Sequence, residues 1–264
     1  MYRPSDHTFA VCAYGESPFL KDCLESLLAQ RVQTNIIIAT STPNSHIEGI
    51  ASTYDMPLFL NEGDPGISHD WNCAVGYCET DLVTIAHQDD VYLPEYAQEV
   101  LGALNRFKRP LIAFTDYGEI RNSEAVDDSR LLSVKRTLLS PLKNERRSAS
   151  VFVRRRVLSA GSPICCPSVT YCRSNLPVPL FLDDMRCDLD WEAWERFSRL
   201  DGDFVYIPNV LMRHRIHEGS ETTALIKDDT RASEDLAMFR KFWPKPVARF
   251  MAKMYSTSMD SNQL

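Results

Sequence analysis

Apolar residues in the first ninety positions gather into short unbroken runs, with helically spaced segments between them. TFAVCAY (8–14), NIIIATS (35–41), MPLFLNE (56–62) and DLVTIA (81–86) are apolar nearly throughout rather than alternating. Behind Pro18, the residues Phe19, Cys23, Leu24, Leu27 and Leu28 recur at helical intervals. NSHIEGIASTY reads as a second helix capped by Asn44, GDPG (63–66) as a turn, and 67–78 as a third helix. Continuous apolar strands alternating with helices predict parallel strands covered on both faces, an open α/β sheet. Ligands of such sheets lie at the carboxyl ends of the strands.

The pattern continues with a helix over 93–107 and a strand over 110–120, then a polar stretch, RNSEAVDDSR, that reads as an exposed turn. A helix is expected in SASVFVRRRVLSAG, followed by SVTYCR, a helix in DWEAWERFSRL and a strand in DFVYIPNVLMRHRI. No linker or internal repeat interrupts this order. One domain over 1–225 is therefore expected, with a helical tail over 226–264.

One junction raises a chemical question. The run Leu82–Ala86 ends in His87, Gln88, Asp89 and Asp90. Adjacent carboxylates repel one another, and burying them costs several kcal/mol unless a positive group offsets it. The formal charge of -7 excludes a nucleic-acid binder that works through bulk positive field. An anionic ligand would need a local cation. Mg²⁺ or Mn²⁺ takes oxygen ligands from one or two carboxylates and fills its other positions with phosphate and water. Asp89 and Asp90 can supply such a site.

The remaining composition narrows the setting. No apolar run reaches the ~18 residues of a membrane span, and the N-terminus lacks the features of a secretory signal. The eight cysteines include no C-x-x-C pair and read as reduced thiols of a cytoplasmic protein.

Three ordered segments carry a family resemblance: VCAYGESPFLKDCLESLLAQ, NEGDPGISHDWNCAVGYCETDLVTIAHQDD and DLDWEAWERFSRLDGDFVYIPNVLMRHRIHEGS. Together they resemble family 2 glycosyltransferases of the GT-A fold, which is Rossmann-like, over about 8–220. The resemblance implies an inverting enzyme that uses a nucleoside-diphosphate sugar, most often a UDP-sugar, with Mn²⁺ or Mg²⁺. About 1–120 would be the nucleotide-sugar half and about 121–225 the acceptor half. Asp89 matches the second acid of the D-x-D motif, with Asp90 beside it, and His87 stands where the first acid is common. Asp190 matches the catalytic base, with Asp188 the fallback. His217 matches the motif histidine that assists the metal, and Arg213 and Arg215 lie where the leaving diphosphate is reached. Ala13, Tyr14, Thr40, Ser41, Asn72, His87, Gln88 and Asp89 would border the nucleotide sugar. At the end of the second strand, where the family has acids that grip the base, this chain has the neutral Thr40 and Ser41.

The implied acceptor is a glycan or a lipid-linked glycan of polysaccharide biosynthesis. The tail FRKFWPKPVARFMAKMY mixes cations with aromatics, which allows either packing on the domain or peripheral contact with the inner face of a membrane. Three rival readings stay open. A sugar nucleotidyltransferase would use the same sheet, although AYGESPFLKD lacks the Gly- and Arg-rich triphosphate loop. A glycoside hydrolase needs two carboxylates but no nucleotide-binding sheet. A non-catalytic nucleotide- or glycan-binding protein is kept open by His87 and the neutral ATST.

Overall fold

The computed structural model describes residues 1–217 and 229–260. The four predicted strands are present as β1 (His7–Ala13), β2 (Asn35–Thr40), β3 (Leu58–Leu60) and β4 (Leu82–His87). They run parallel in the order β3-β2-β1-β4. Their unbroken apolar character follows from burial on both faces. Ala10, Ile37, Val83 and Ile85 enter one core, while Phe9, Val11, Ile38 and Ala86 enter the other. On the second face α1 (Leu20–Leu28) buries Leu20, Cys23, Leu24 and Leu27. On the first face α3 (Ile67–Tyr77) contributes Ala74 and Val75. Between β2 and β3, α2 (Ser45–Thr53) begins where predicted, and the Asn44 side chain accepts the Ile47 N–H at 3.0 Å.

The second half turns the sheet mixed. Its strands are β5 (Val91–Tyr92), β6 (Pro110–Arg121), β7 (Glu124–Val126), β8 (Val169–Cys172) and β9 (Asp203–Ile216), and the order continues β4-β8-β6-β9-β5. β8 is antiparallel to β4 and β6, whereas β9 is parallel to β6. The parallel prediction thus holds for the first four strands and for the β6–β9 pair. Two antiparallel strands escaped it for local reasons. β7 returns from β6 through Asn122 and Ser123, both at positive φ, so a stretch read as a plain turn is a hairpin. β5 has two residues, too few to show a period.

The helices of this half are α4 (Tyr96–Leu104), α5 (Arg130–Leu139), α6 (Val151–Leu158), α7 (Leu189–Phe197), α8 (Asp229–Arg240) and α9 (Lys245–Asp260). α4 starts three residues later than expected, because Val91 and Tyr92 first pair with β9. The segment expected as a tail is partly core: Trp191 of α7 packs on Phe239 at 5.0 Å and on Tyr255 at 5.9 Å. All eight cysteines are free thiols. No helix among the described residues is long and apolar enough to cross a membrane.

The shortness of β8 makes the site. It pairs with β4 only at Leu82–Thr84 and with β6 only at Ile112–Phe114. Beyond Thr84 and Phe114 it no longer bridges the two strands, and the sheet opens at their carboxyl ends.

Candidate active site

The acidic segment is placed by β5. Val91 pairs with Arg213 and Tyr92 with Met212, antiparallel. Extending that register sets Asp90 beside His214 and Asp89 beside Arg215. Asp90 Oδ1 accepts the Arg215 backbone N–H at 2.9 Å and lies 2.9 Å from His214 Nδ1. Burial pushes the Asp90 carboxyl up, but the His214 charge and hydrogen bond, His87 and the Arg215 N–H together bring it below the usual carboxylate range. Burial likewise lowers His214, and Asp90 more than reverses this, leaving the imidazole above its ordinary value. Asp90 is fully buried. Through Oδ1 its carboxylate anchors β9, and Oδ2 is buried without a hydrogen-bond partner.

Asp89 faces outward. Its Oδ2 lies 2.9 Å from His217 Nε2, and the two side chains are 22% and 25% exposed. Its carbonyl accepts Arg215 Nε–H at 2.9 Å. The Arg215 guanidinium lies 4.3 Å above the Phe19 ring and reaches Asp22 at 3.3 Å, while Phe19 sits 5.0 Å from the His217 ring. Arg215 thus braces the Asp89 loop. Arg213 is not part of this group: it forms a two-pronged ion pair with Asp127, at 2.8 and 2.7 Å.

The Asp89–His217 pair fits a divalent ion. Two ligands in adjacent positions of an octahedral ion with bonds of about 2.1 Å stand about 3 Å apart. Among the described residues no three acidic, histidine or cysteine side chains converge to hold an ion unaided. Diphosphate oxygens and water would supply the remaining positions.

The strand ends beside this pair form a polar shelf. Gln88 accepts the Tyr14 N–H at 3.0 Å and donates to its carbonyl at 2.9 Å, pairing with main chain as a strand would. Tyr14 itself is exposed, and Ala13 is buried opposite Thr40. Thr40 Oγ1 accepts the Thr42 N–H at 3.0 Å, and Thr42 Oγ1 accepts the Gly15 N–H at 2.7 Å. Ser41 donates to Asp70 Oδ2 at 2.8 Å, and Asn61 donates to Asp70 Oδ1 at 2.9 Å. Asp70, on the first turn of α3, brings an acid to the end of β2 that the local sequence lacks. Only the fold shows this, because Asp70 and Ser41 are 29 positions apart. His87 stacks on Trp71 at 5.0 Å, burial pushes its imidazole below the ordinary value, and its Nε2 is buried without a partner. Asn72 points elsewhere. Its amide accepts from the Leu180 and Phe181 N–H groups at 3.1 Å and donates to the Phe181 carbonyl at 2.8 Å. It is engaged in holding that loop.

The carboxylates of α7 differ sharply. Asp190 is half-buried, and its Oδ1 accepts the Trp191 N–H at 2.6 Å. Burial pushes its carboxyl up to about 6, against the Trp191 N–H and the charges of Lys135 and Arg231. Asp188 is raised further, first by burial and then by the neighbouring carboxyls of Asp235 and Asp190. Glu234 fixes the entry to the helix by accepting the N–H groups of Arg186, Cys187 and Asp188 at 2.9, 2.7 and 3.1 Å. Lys135, Glu234 and Asp235 carried no motif and were not foreseen. Glu218, Gly219 and Ser220 of the expected late motif lie outside the described residues.

A cavity of about 780 Å³ lies elsewhere, lined by Tyr2, Asp6, Thr8 and Asn35. These residues sit at the amino ends of β1 and β2, away from where open α/β sheets bind ligands.

The profile of glycosyl transferase family 2 matches residues 8–161, more than half of the chain. The chain belongs to glycosyl transferase family 2. No curated protein matches it. Among solved structures, this family 2 member is similar to S. aureus TarS 1-349 in complex with UDP-GlcNAc (TM-score 0.59, 12% identity, 98% of this chain and 73% of that one). It is also similar to glucosyl-3-phosphoglycerate synthase from Mycobacterium tuberculosis with Mn²⁺ and UDP-glucose (TM-score 0.59, 14% identity, 91% and 80%). A third is the mannosyltransferase PcManGT from Pyrobaculum calidifontis with GDP-Man and Mn²⁺ (TM-score 0.60, 15% identity, 100% and 77%). At these identities the likeness establishes the GT-A fold, and the family 2 match establishes a glycosyltransferase.

Proposed function

We propose that this family 2 member is a metal-assisted, inverting glycosyltransferase. It would move a hexosyl or N-acetylhexosaminyl group from a nucleoside-diphosphate sugar, with UDP favoured, to a hydroxyl of a glycan or lipid-linked acceptor. The observation that carries this reading is the 2.9 Å Asp89–His217 pair, an oxygen and an imidazole nitrogen presented together at the open strand ends. Asp89 and His217 would hold Mn²⁺ or Mg²⁺, which supplies neutralising charge for the diphosphate. The shelf of Tyr14, Thr40, Ser41 and Gln88 would border the nucleotide. Asp70 supports the choice of uracil, since its carboxylate supplies an acceptor near the end of β2.

Asp190 is the base in this mechanism. A carboxyl near 6 is mostly ionised at neutral pH yet more basic than an ordinary aspartate. It takes the proton of the acceptor hydroxyl as that oxygen bonds to the anomeric carbon. The bond from that carbon to the diphosphate oxygen breaks, and its electron pair leaves with the nucleoside diphosphate. One displacement inverts the centre. Asp188 serves less well, because burial and Asp235 favour its protonated form. The free thiols support a reducing, cytoplasmic setting.

The deciding experiment is calorimetric titration of UDP, GDP, CDP and dTDP with Mn²⁺ or with EDTA, for the wild type and Asp89→Ala. One nucleotide should bind with Mn²⁺ and lose its affinity in the variant. If none binds under either condition, the donor-site reading fails.

A further inference from the structure

The last described helix has three faces. With about 100° between successive residues, Ala248, Met251, Ala252 and Tyr255 share one arc of α9. Ala248 is fully buried, and Met251, Ala252 and Tyr255 pack against the core. Lys245, Arg249 and Lys253 share a second arc, and all three are exposed. Between these lies an arc of Pro246, Val247, Phe250 and Met254. Here Val247 is 41%, Phe250 63% and Met254 56% exposed. A helix that only covers a core needs one apolar arc. This one carries a second, turned to solvent and flanked by cations.

α6 packs on the segment that leads into α9. Arg155 of α6 donates to the Lys241 carbonyl at 2.8 Å and lies 5.0 Å from the Phe242 ring, and Arg156 lies 5.1 Å from Trp243. Phe152 precedes them by one turn on the same face of α6 and is 77% exposed.

Charge identifies the partner. The chain carries a formal charge of -7, so an anionic surface would repel most of it. Yet no Asp or Glu occurs between Lys245 and Met259, while three cations do. Cations alongside exposed aromatic and thioether side chains match a bilayer surface, where apolar groups enter the acyl boundary and cations meet anionic headgroups.

We propose that α9 docks the protein against an anionic lipid bilayer through Val247, Phe250 and Met254, steadied by Lys245 and Arg249. The proposal does not depend on the donor chemistry proposed above. Docking would bring the acceptor half to a membrane, where a lipid-linked acceptor resides.

The test is sedimentation of the full chain with vesicles of equal parts phosphatidylglycerol and phosphatidylcholine, against vesicles of phosphatidylcholine alone. The wild type should sediment with the first and remain in solution with the second, and higher salt should release it. Phe250→Ser with Met254→Ser, and separately Lys245→Glu with Arg249→Glu, should each lower the bound fraction at least tenfold. All of these positions are exposed, and Leu60→Ser at the far edge of the sheet serves as the control for surface substitution. Nucleotide titration checks that each variant keeps its donor site. A wild type that stays in solution with anionic vesicles, or double variants that bind undiminished, overturns the proposal. So does a wild-type dimer in sedimentation velocity that the serine variant dissolves, since a second copy would then cover this face.

Discussion

Asp90 Oδ1 and His214 Nδ1 lie 2.9 Å apart, with the carboxylate closed off from solvent. This pair fixes β9 against the segment that carries Asp89. Its stability contribution has two edges. Asp90 is lowered in the fold, so its share is present above the unfolded value of about 3.9 and is lost as pH falls through the folded value. His214 is raised, so its share is complete below about 6.5 and is lost as pH rises through the folded value. Asp90→Asn should cost about 2–4 kcal/mol in urea unfolding at neutral pH. The deficit of His214→Gln relative to the wild type should shrink as pH rises above the imidazole range. A deficit constant across pH would refute the ion-pair account.

Asp190 should govern the pH dependence of turnover. Its base form dominates above about 6, so kcat/KM should rise with unit slope below that pH and level above it. Asp190→Asn should lower kcat by about 10²–10⁴-fold and leave the nucleotide Kd unchanged. Equal losses in Kd and kcat would make Asp190 a binding residue instead.

His217 should matter only through the cation. His217→Ala should weaken Mn²⁺-supported nucleotide binding on the order of tenfold or more, and leave whatever binding persists in EDTA untouched. Equal loss in both conditions would mean that the imidazole contacts the nucleotide directly.

Glu234 links α8 to the start of α7 by accepting three backbone N–H groups. Glu234→Ala strands those donors and should destabilise the fold by about 2–3 kcal/mol. Because Asp190 follows two residues later, kcat should fall more than donor affinity does. Partial restoration of kcat by Glu234→Gln, which keeps one acceptor oxygen there, would support a positioning role. A variant with wild-type stability and kcat would exclude one.

Asn72 separates two readings of one residue. If its amide serves the Leu180–Phe181 loop, Asn72→Ala should lower the unfolding midpoint by an amount equivalent to about 1–3 kcal/mol and leave the Kd for UDP within twofold. A large rise in Kd with an unchanged midpoint would return Asn72 to the nucleotide site.

Legibility from sequence followed the range of the interactions. β1, β2, β4 and β6 were visible because continuous apolar runs record burial on two faces, and the Asn44 cap because its partner is three residues away. Asp89 was legible by its place after a buried strand, and Asp190 by its place at the start of an amphipathic helix. β5 was not, since two residues carry no period, yet its pairing with β9 assigns the two adjacent carboxylates opposite fates. Asp89 emerges beside His217 while Asp90 is sealed against His214.

The sequence alone determined the α/β class, the strand ends where chemistry gathers, and the carboxylates available there, because these depend on local periodicity and residue type. Tertiary structure decided which side chains meet. Register across β5 and β9 split Asp89 from Asp90, packing of α3 carried Asp70 to Ser41, and Asp127 drew Arg213 away from the site. Such pairings join residues tens to more than a hundred positions apart, and no local pattern encodes them: they exist only once the sheet has closed around its two cores.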